Sequence, residues 1–245
     1  MKKILGLLGL LLPYTAWAGS VTYIGDSQSA SRGGLFAELR QGLGSLVQFK
    51  TARSVCGATI DGYLTKSMRG SCRYKGVTSL DMSEGRLNFP GGSGQTALID
   101  ELMRGSDTVI VQLGDNHLAA PESAGVKARA LATKIKASGK KCVWIGPASV
   151  SRGSCSQNHA RKKAVSESIK AAIAGVCQFV DSFAATQANP PRSGDCLHYA
   201  NYSQWSSAIL SQVAQALSVG GTKTKSTASA GANLGGFYLL PPANR

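Results

Sequence analysis

The sequence has 245 residues and a formal net charge of +14, with 27 basic against 13 acidic residues. Its length suits one domain with a sizeable hydrophobic core. No apolar run is long enough to cross a bilayer, which excludes a helical membrane protein. No nucleic-acid recognition motif accompanies the positive charge, so we expect no nucleic acid partner. The charge predicts at most peripheral contact with anionic envelope surfaces, unless it serves solubility alone.

The first 18 residues have the pattern of a secretory signal peptide. Lys2 and Lys3 form a basic start, residues 4–12 are apolar, and Ala16-Trp17-Ala18 is a cleavage site. We therefore expect cleavage after Ala18 and a periplasmic or secreted bacterial protein. Removing Lys2 and Lys3 with this segment lowers the charge from +14 to +12. The residue directly after the cleavage site is not a cysteine, which argues against a lipid anchor.

The six cysteines are an even number and fit an oxidising compartment with up to three disulfides. They lack zinc-site spacing, because there is no C-x-x-C and no neighbouring histidine pair, so we expect no metal. One pair shares a loop-rich region, one pair opens two predicted strands, and one pair follows two predicted strand ends. Many connectivities are possible. We favour Cys56–Cys72, Cys142–Cys177 and Cys155–Cys196.

In chain order, the predicted elements alternate between strand and helix. Strands are predicted at 21–24, 46–51, 107–113, 142–147 and 177–181. Helices are predicted from 31 onward and at 96–103, 121–138, 159–174 and 199–217, the fourth being strongly basic at 161–163. This alternation indicates βαβ units in an α/β fold: a three-layer α/β/α sandwich with a parallel five-stranded sheet. Right-handed crossovers then place ligand chemistry at the carboxyl ends of the strands.

Two stretches depart from this alternation. Residues 61–94 are rich in Gly, Ser, Arg and Tyr and predict a surface excursion with local order, tied down by Cys72. Residues 219–245 form a low-complexity tail that we expect to be flexible, although its apolar part at 237–242 could dock on the domain or on a partner. The predicted organisation is a leader at 1–18, one domain at 19–218 and this tail, in a monomer.

Residues able to carry chemistry follow four of the predicted strands. Ser27 follows the first, Gly57 the second, Asn116 the third, and Asp195-x-x-His198 the fifth. Because the carboxyl ends of parallel strands lie at one edge of a sheet, we expect these residues to converge. A serine hydroxyl is a weak nucleophile that needs a neighbouring base, and the D-x-x-H spacing lets a carboxylate orient the imidazole. Taken singly, each residue is an ordinary turn or cap residue.

Together these residues resemble the sequence blocks of the SGNH/GDSL hydrolase superfamily. Gly25-Asp26-Ser27 matches the first block, Gly57 the second, Gly114-Asp115-Asn116 the third and Asp195-x-x-His198 the last, in family order. The resemblance implies the flavodoxin-like fold of that superfamily over about residues 20–218. It also implies ester hydrolysis through an acyl-serine, with no metal or organic cofactor.

The same resemblance implies a role for each matched residue. Ser27 would be the nucleophile, His198 the general base and then acid, and Asp195 the carboxylate that orients His198. The backbone N–H groups of Ser27 and Gly57 and the side-chain amide of Asn116 would form the oxyanion hole. Glycine at position 57 suits a close backbone approach.

Two positions depart from the family pattern. Gln28 stands where leucine is common, and His117 stands where aspartate is common. With Asp115, these residues are predicted to line the pocket. Asp26 is expected to be a structural turn carboxylate, and His159 a surface residue near a helix start.

The substrate is predicted from the protein's exported and basic character. Short acyl esters on glycans fit best, especially O-acetyl groups on peptidoglycan or another envelope polysaccharide. A lipase or acyl-thioesterase would need a long apolar groove, and residues 61–94 offer few apolar side chains for one. Two further alternatives are an acyltransferase with the same machinery and an inactive member that only binds cell-wall glycan.

Overall fold

The computed structural model describes residues 19–66, 79–83, 85–90 and 95–218. Its strands are β1 (Ser20–Gly25), β2 (Gln48–Val55), β3 (Ser79–Ser83), β4 (Arg86–Asn88), β5 (Thr108–Gln112), β6 (Lys141–Ile145) and β7 (Gln178–Val180). Its helices are α1 (Leu35–Leu43), α2 (Gly62–Thr65), α3 (Ile99–Leu102), α4 (Pro121–Ala137), α5 (Ser156–Ala172), α6 (Ser182–Thr186) and α7 (Tyr202–Ser218). Short 3-10 turns occupy 44–46 and 115–117. All five predicted strands are present, whereas the short helices α2 and α6 were not predicted.

In these described ranges, the strands form one sheet with the order β4-β3-β2-β1-β5-β6-β7. Strands β2, β1, β5, β6 and β7 pair in parallel. Strands β3 and β4 form an antiparallel hairpin on the edge of β2. The predicted number of five strands was therefore wrong, since the sheet has seven. The hairpin strands are short and bury few apolar side chains, so the sequence pattern of residues 61–94 did not predict them.

The sheet lies between two helical layers, each with its own hydrophobic core. Side chains alternate between the two faces of a strand, and on β1 Tyr23 points to one layer and Ile24 to the other. Helices α1 and α7 cover the first face and contact each other, while α4 and α5 do the same on the second face. This arrangement confirms the predicted three-layer α/β/α sandwich.

Local sequence explains where the longest helices begin and end. Helix α4 has Pro121 at its first position, where the missing N–H costs no hydrogen bond. Glu122 lies in its first turn, and Lys134 and Lys136 lie in its last turn, so these charges interact favourably with the helix dipole. Helix α7 buries one apolar stripe, which includes Trp205, Ile209 and Val213.

Two disulfides lie within the described residues. Cys142–Cys177 connects β6 to the residue before β7, with the Cα atoms 4.7 Å apart. Cys155–Cys196 connects the start of α5 to the loop before α7, with the Cα atoms 5.2 Å apart. Both pairs were predicted. The third predicted pair includes Cys72, which lies outside the described residues, as do the predicted leader and tail.

None of the described helices is both long enough and apolar enough to cross a bilayer.

Candidate active site

A sharp turn at the end of β1 presents Ser27 at the carboxyl edge of the sheet. At Gly25 a Cβ atom would lie only 2.8 Å from Ser54 Oγ, so a larger residue there would force the neighbouring side chains to shift. After Gly25, Asp26 Oδ1 accepts hydrogen bonds from the Gln28 N–H at 3.0 Å and from Gln112 Nε2 at 3.1 Å. Asp26 thus serves as the structural turn carboxylate that the sequence predicted.

The structure brings Ser27, His198 and Asp195 together in one hydrogen-bonded chain. His198 Nε2 lies 2.9 Å from Ser27 Oγ, across 171 positions of sequence. His198 Nδ1 lies 2.7 Å from Asp195 Oδ2. A hydroxyl, an imidazole and a carboxylate in this order have the geometry in which the ring can take the hydroxyl proton.

Asp195 also closes the turn in which it lies. Its Oδ1 accepts the backbone N–H groups of Leu197 at 2.9 Å and of His198 at 2.7 Å. Partial burial by itself would raise the pKa of Asp195. The hydrogen bond from the His198 ring and the two N–H donors outweigh that effect and lower the pKa to about 2. Asp195 is therefore a charged acceptor across the physiological pH range.

The residues predicted to form an oxyanion hole lie in three loops at the same edge. Gly57 follows β2 with φ of 80°, a conformation that favours glycine. Asn116 lies in the 3-10 turn after β5, and its Nδ2 donates to the Ala58 carbonyl at 2.9 Å. This bond places Asn116 beside the Gly57 loop. An amide nitrogen has a second hydrogen, which stays available for another acceptor.

Comparisons with known proteins place this architecture among solved structures. No family model and no curated protein matches the sequence. The crystal structure of TesA matches with a TM-score of 0.54 and 19% identity, over 81% of this chain and 98% of that one. A GDSL-like lipase from Bacteroides thetaiotaomicron matches with a TM-score of 0.51 and 12% identity, over 82% and 88% of the two chains. The fold is that of an SGNH/GDSL hydrolase.

Another structure with the SGNH/GDSL fold is named an acetylxylan esterase. This protein, Axe2 from Geobacillus stearothermophilus, matches as a catalytic mutant with a TM-score of 0.52 and 13% identity, over 82% of this chain and 94% of that one. These likenesses confirm the fold that the sequence blocks implied.

Two residues predicted to line the pocket of this SGNH/GDSL fold are buried inside it instead. Gln28 donates from Nε2 to the Leu197 carbonyl at 3.0 Å and accepts from the Tyr202 hydroxyl at 2.8 Å. His117 Nε2 accepts the Ile60 N–H at 3.1 Å. Burial, helped by the charge of Lys127, lowers the pKa of His117. Both side chains are occupied by internal hydrogen bonds rather than exposed to a pocket.

Asp115, the third residue predicted to line the pocket, is buried in an ion pair with Lys162. Lys162 lies on α5 with a fully buried side chain, and its Nζ contacts Asp115 Oδ1. This ammonium also lies 5.1 Å from the centre of the Tyr199 ring and 3.5 Å from the Leu197 carbonyl. From the sequence, Lys162 was predicted only as part of a strongly basic helical stretch at 161–163, with no role at the site.

A sequence signal for the burial of Lys162 does exist. The buried stripe of α5 includes Val165, Ser166 and Ile169, and Lys162 lies one turn before it at helical spacing. A lysine on an apolar stripe is unusual enough to suggest a buried partner.

His159 differs from its prediction as a surface residue. It lies on the buried side of α5, and its Nδ1 is 2.7 Å from the Val150 carbonyl. Its ring also contacts Phe183 edge to face, with the ring centres 5.0 Å apart. The loop after β6 packs over the start of α5, which buries a position that the sequence pattern alone leaves exposed.

The described residues contain no group of three or more His, Cys, Asp or Glu side chains able to hold a metal ion. A cavity of about 780 Å³, lined by residues that include Ser20, Arg40 and Lys50, lies at the amino ends of β1 and β2. Ser27 lies at the opposite, carboxyl end of these strands, so the cavity takes no part in the site.

Proposed function

We propose that this protein is a serine ester hydrolase that works through an acyl-serine intermediate. The observation that carries the proposal is the chain of two short contacts from Ser27 through His198 to Asp195. The SGNH/GDSL fold supports it, because named esterases and lipases share that fold.

In the first half of the proposed reaction, Ser27 Oγ attacks the ester carbonyl while His198 Nε2 takes the hydroxyl proton. The carbonyl oxygen becomes an oxyanion, which accepts hydrogen bonds from the Ser27 and Gly57 N–H groups and from Asn116 Nδ2. His198 then gives its proton to the departing alkoxide. The C–O bond breaks, the alcohol leaves, and the acyl group stays on Ser27.

In the second half, His198 takes a proton from water, which attacks the acyl-serine. The carboxylic acid leaves and Ser27 regains its proton. Asp195 stays charged throughout, because its pKa is held at about 2, and it stabilises the imidazolium that forms twice in each cycle.

We further propose that the substrates are O-acetyl esters on anionic envelope glycans such as peptidoglycan. Three exposed arginines lie on the side of the sheet that carries Ser27: Arg32 and Arg152 in the loops after β1 and β6, and Arg192 in the loop between α6 and α7. Among the described residues, none of them has an ion-pair partner, so their charges are available to carboxylates of a polymer. A protein of the same fold is named an acetylxylan esterase, which makes an acetylated glycan a reasonable substrate class.

We also propose that the protein is exported. The leader-like segment at 1–18 supports this proposal, and the two described disulfides are consistent with an extracellular protein.

Hydrolysis of p-nitrophenyl acetate tests the activity. Ser27→Ala should lower kcat/KM by at least about 1,000-fold, because no other group replaces the nucleophile. Ser151→Ala, at an exposed serine in the loop after β6, is the matched control and should behave as wild type. Equal rates for wild type and Ser27→Ala would overturn the proposal. The p-nitrophenyl octanoate ester should react more slowly than the acetate, and a preference for octanoate would overturn the O-acetyl assignment.

A further inference from the structure

The peptide group that joins Leu197 to His198 is hydrogen-bonded at both its carbonyl and its N–H. The Leu197 carbonyl accepts hydrogen bonds from Gln28 Nε2 at 3.0 Å and from Lys162 Nζ at 3.5 Å. The N–H of the same peptide group, that of His198, donates to Asp195 Oδ1 at 2.7 Å. Because this carbonyl is one bond from the His198 backbone nitrogen, the two side chains that donate to it restrict where the imidazole can lie.

Gln28 connects this loop to the nucleophile. It directly follows Ser27, and its own N–H donates to Asp26 Oδ1 at 3.0 Å within the turn that presents Ser27. Its Oε1 accepts from Tyr202 at 2.8 Å, which orients the amide so that Nε2 faces Leu197. The leucine that is common at this position has no donor, so it cannot make this connection.

Lys162 connects the same loop to the third sequence block. Its buried ammonium pairs with Asp115, the residue before Asn116, and donates to the Leu197 carbonyl. Burying such a pair is costly, and apolar replacements in other proteins are often neutral or stabilising. Stability alone therefore does not account for a charged pair at this place.

We propose that Gln28 and Lys162 are positioning residues that align His198 with Ser27 and with Asn116. They act through the Leu197 carbonyl and touch neither the ester nor the reacting atoms. The inference rests on the proposed ester hydrolase function. Gln28 and Lys162 are two residues on which the geometry of that active site depends.

Steady-state kinetics on p-nitrophenyl acetate test this role. Gln28→Leu and Lys162→Met should each lower kcat by about tenfold or more and leave KM within about twofold, because a small misplacement of a catalytic group slows the reaction without weakening substrate binding. Lys163→Met is the matched control. It removes an exposed lysine from the same helix, where Lys163 is 3.7 Å from Glu167, and it should keep the wild-type kcat.

A second pair of variants separates positioning from folding. Lys162→Met leaves Asp115 buried without its counter-ion, so the double variant Lys162→Met/Asp115→Asn removes both charges at nearly constant volume. Gln28→Glu keeps the shape of the side chain but lacks the Nε2 donor. Both variants, confirmed as folded by circular dichroism and thermal unfolding, should show the same loss in kcat as the first pair.

The His198 Nδ1–H proton signal gives a readout that does not depend on turnover. It should shift or broaden in the Gln28 and Lys162 variants and stay unchanged in Lys163→Met. If wild type hydrolyses the ester while the folded variants keep both kcat and this signal, the positioning role is overturned and the hydrolase proposal stands. If wild type is inactive but the signal moves only in these variants, the hydrolase proposal fails and the positioning of His198 is supported.

Discussion

Two carboxylates at the site, Asp26 and Asp195, have pKa values shifted in opposite directions. Burial, strengthened by the neighbouring Asp115 carboxylate, raises the pKa of Asp26 to about 7. Asp195 is half exposed and accepts three N–H groups, which lower its pKa to about 2 despite partial burial. The site therefore holds one carboxylate that is charged across the physiological pH range and another that takes up a proton near neutral pH.

The raised pKa of Asp26 predicts that the protein is more stable in mild acid than in mild alkali. The unfolded chain binds this proton with a pKa near 3.8 and the folded chain with one of about 7. Between these values the folded state binds more protons, so the contribution of Asp26 is complete below the lower value and is lost as the pH rises through the higher one. Asp26→Asn should reduce the difference in stability between mild acid and mild alkali.

Thermal unfolding at about pH 5 and about pH 8 measures this effect through the difference between the two Tm values. That difference should be smaller in Asp26→Asn than in wild type. Asp100→Asn, at an exposed carboxylate paired with Lys134, is the control and should keep the wild-type difference. An unchanged difference in Asp26→Asn would contradict the assigned pKa.

At the scale of elements, helix α5 and its first turn organise the loop that carries His198. Cys155 is disulfide-bonded to Cys196, Asn158 Nδ2 donates to the Cys196 carbonyl at 3.2 Å, and Lys162 reaches the next carbonyl. Spacings of three and four residues place these side chains on one face of the helix. Cys196 has φ of 61°, which is unfavourable for a residue with a side chain, so these contacts maintain a loop conformation that the chain does not prefer by itself.

Loss of the Cys155–Cys196 disulfide should therefore lower activity as well as stability. Cys155→Ser/Cys196→Ser should cost about 2–4 kcal/mol in the free energy of unfolding and lower kcat on p-nitrophenyl acetate by about tenfold. Cys142→Ser/Cys177→Ser is a matched control, since the two disulfides close loops of 35 and 41 residues. It should cost similar stability and keep the wild-type kcat for the folded protein. Equal losses of kcat in the two variants would show that the first disulfide has no particular effect on the site.

At the scale of the whole molecule, the excess of basic residues includes three exposed arginines at the edge of the sheet that carries Ser27. Long-range attraction to an anionic polymer raises the local substrate concentration and is weakened by salt. Arg32, Arg152 and Arg192 extend from three different loops, so they can contact a polymer that lies across the site.

This distribution predicts a preference for anionic over neutral acetylated glycans. Changing the three arginines together to glutamine should raise KM for O-acetylated peptidoglycan by about tenfold and leave KM for neutral acetylxylan unchanged. Acetate release from the two polymers, at low and high salt, measures both values. Equal KM values of the wild type for the two polymers would rule out an anionic glycan as the preferred substrate.

Much of this architecture could be read from local patterns in the sequence. The parallel strands and the α/β/α layers follow from apolar runs that alternate with helical periodicity, because each run can be buried only in the matching element. Ser27 was predicted because it lies just beyond the end of β1. Asp195 and His198 were predicted from their D-x-x-H spacing in the segment between the last strand and the last helix, since parallel strands end on one side of a sheet. The hairpin of β3 and β4 was missed, since its short strands depend on pairing with β2 rather than on their own pattern.

The sequence by itself therefore determined the five parallel strands and which residues gather at their carboxyl ends. Tertiary structure alone decided that Lys162 pairs with Asp115, that Gln28 faces Leu197 and that His159 is covered. The physical reason is that the environment of a polar side chain is set by partners far away in the chain. Lys162 is paired with Asp115, 47 positions earlier, and Gln28 with Leu197, 169 positions later, so no local pattern contains either contact.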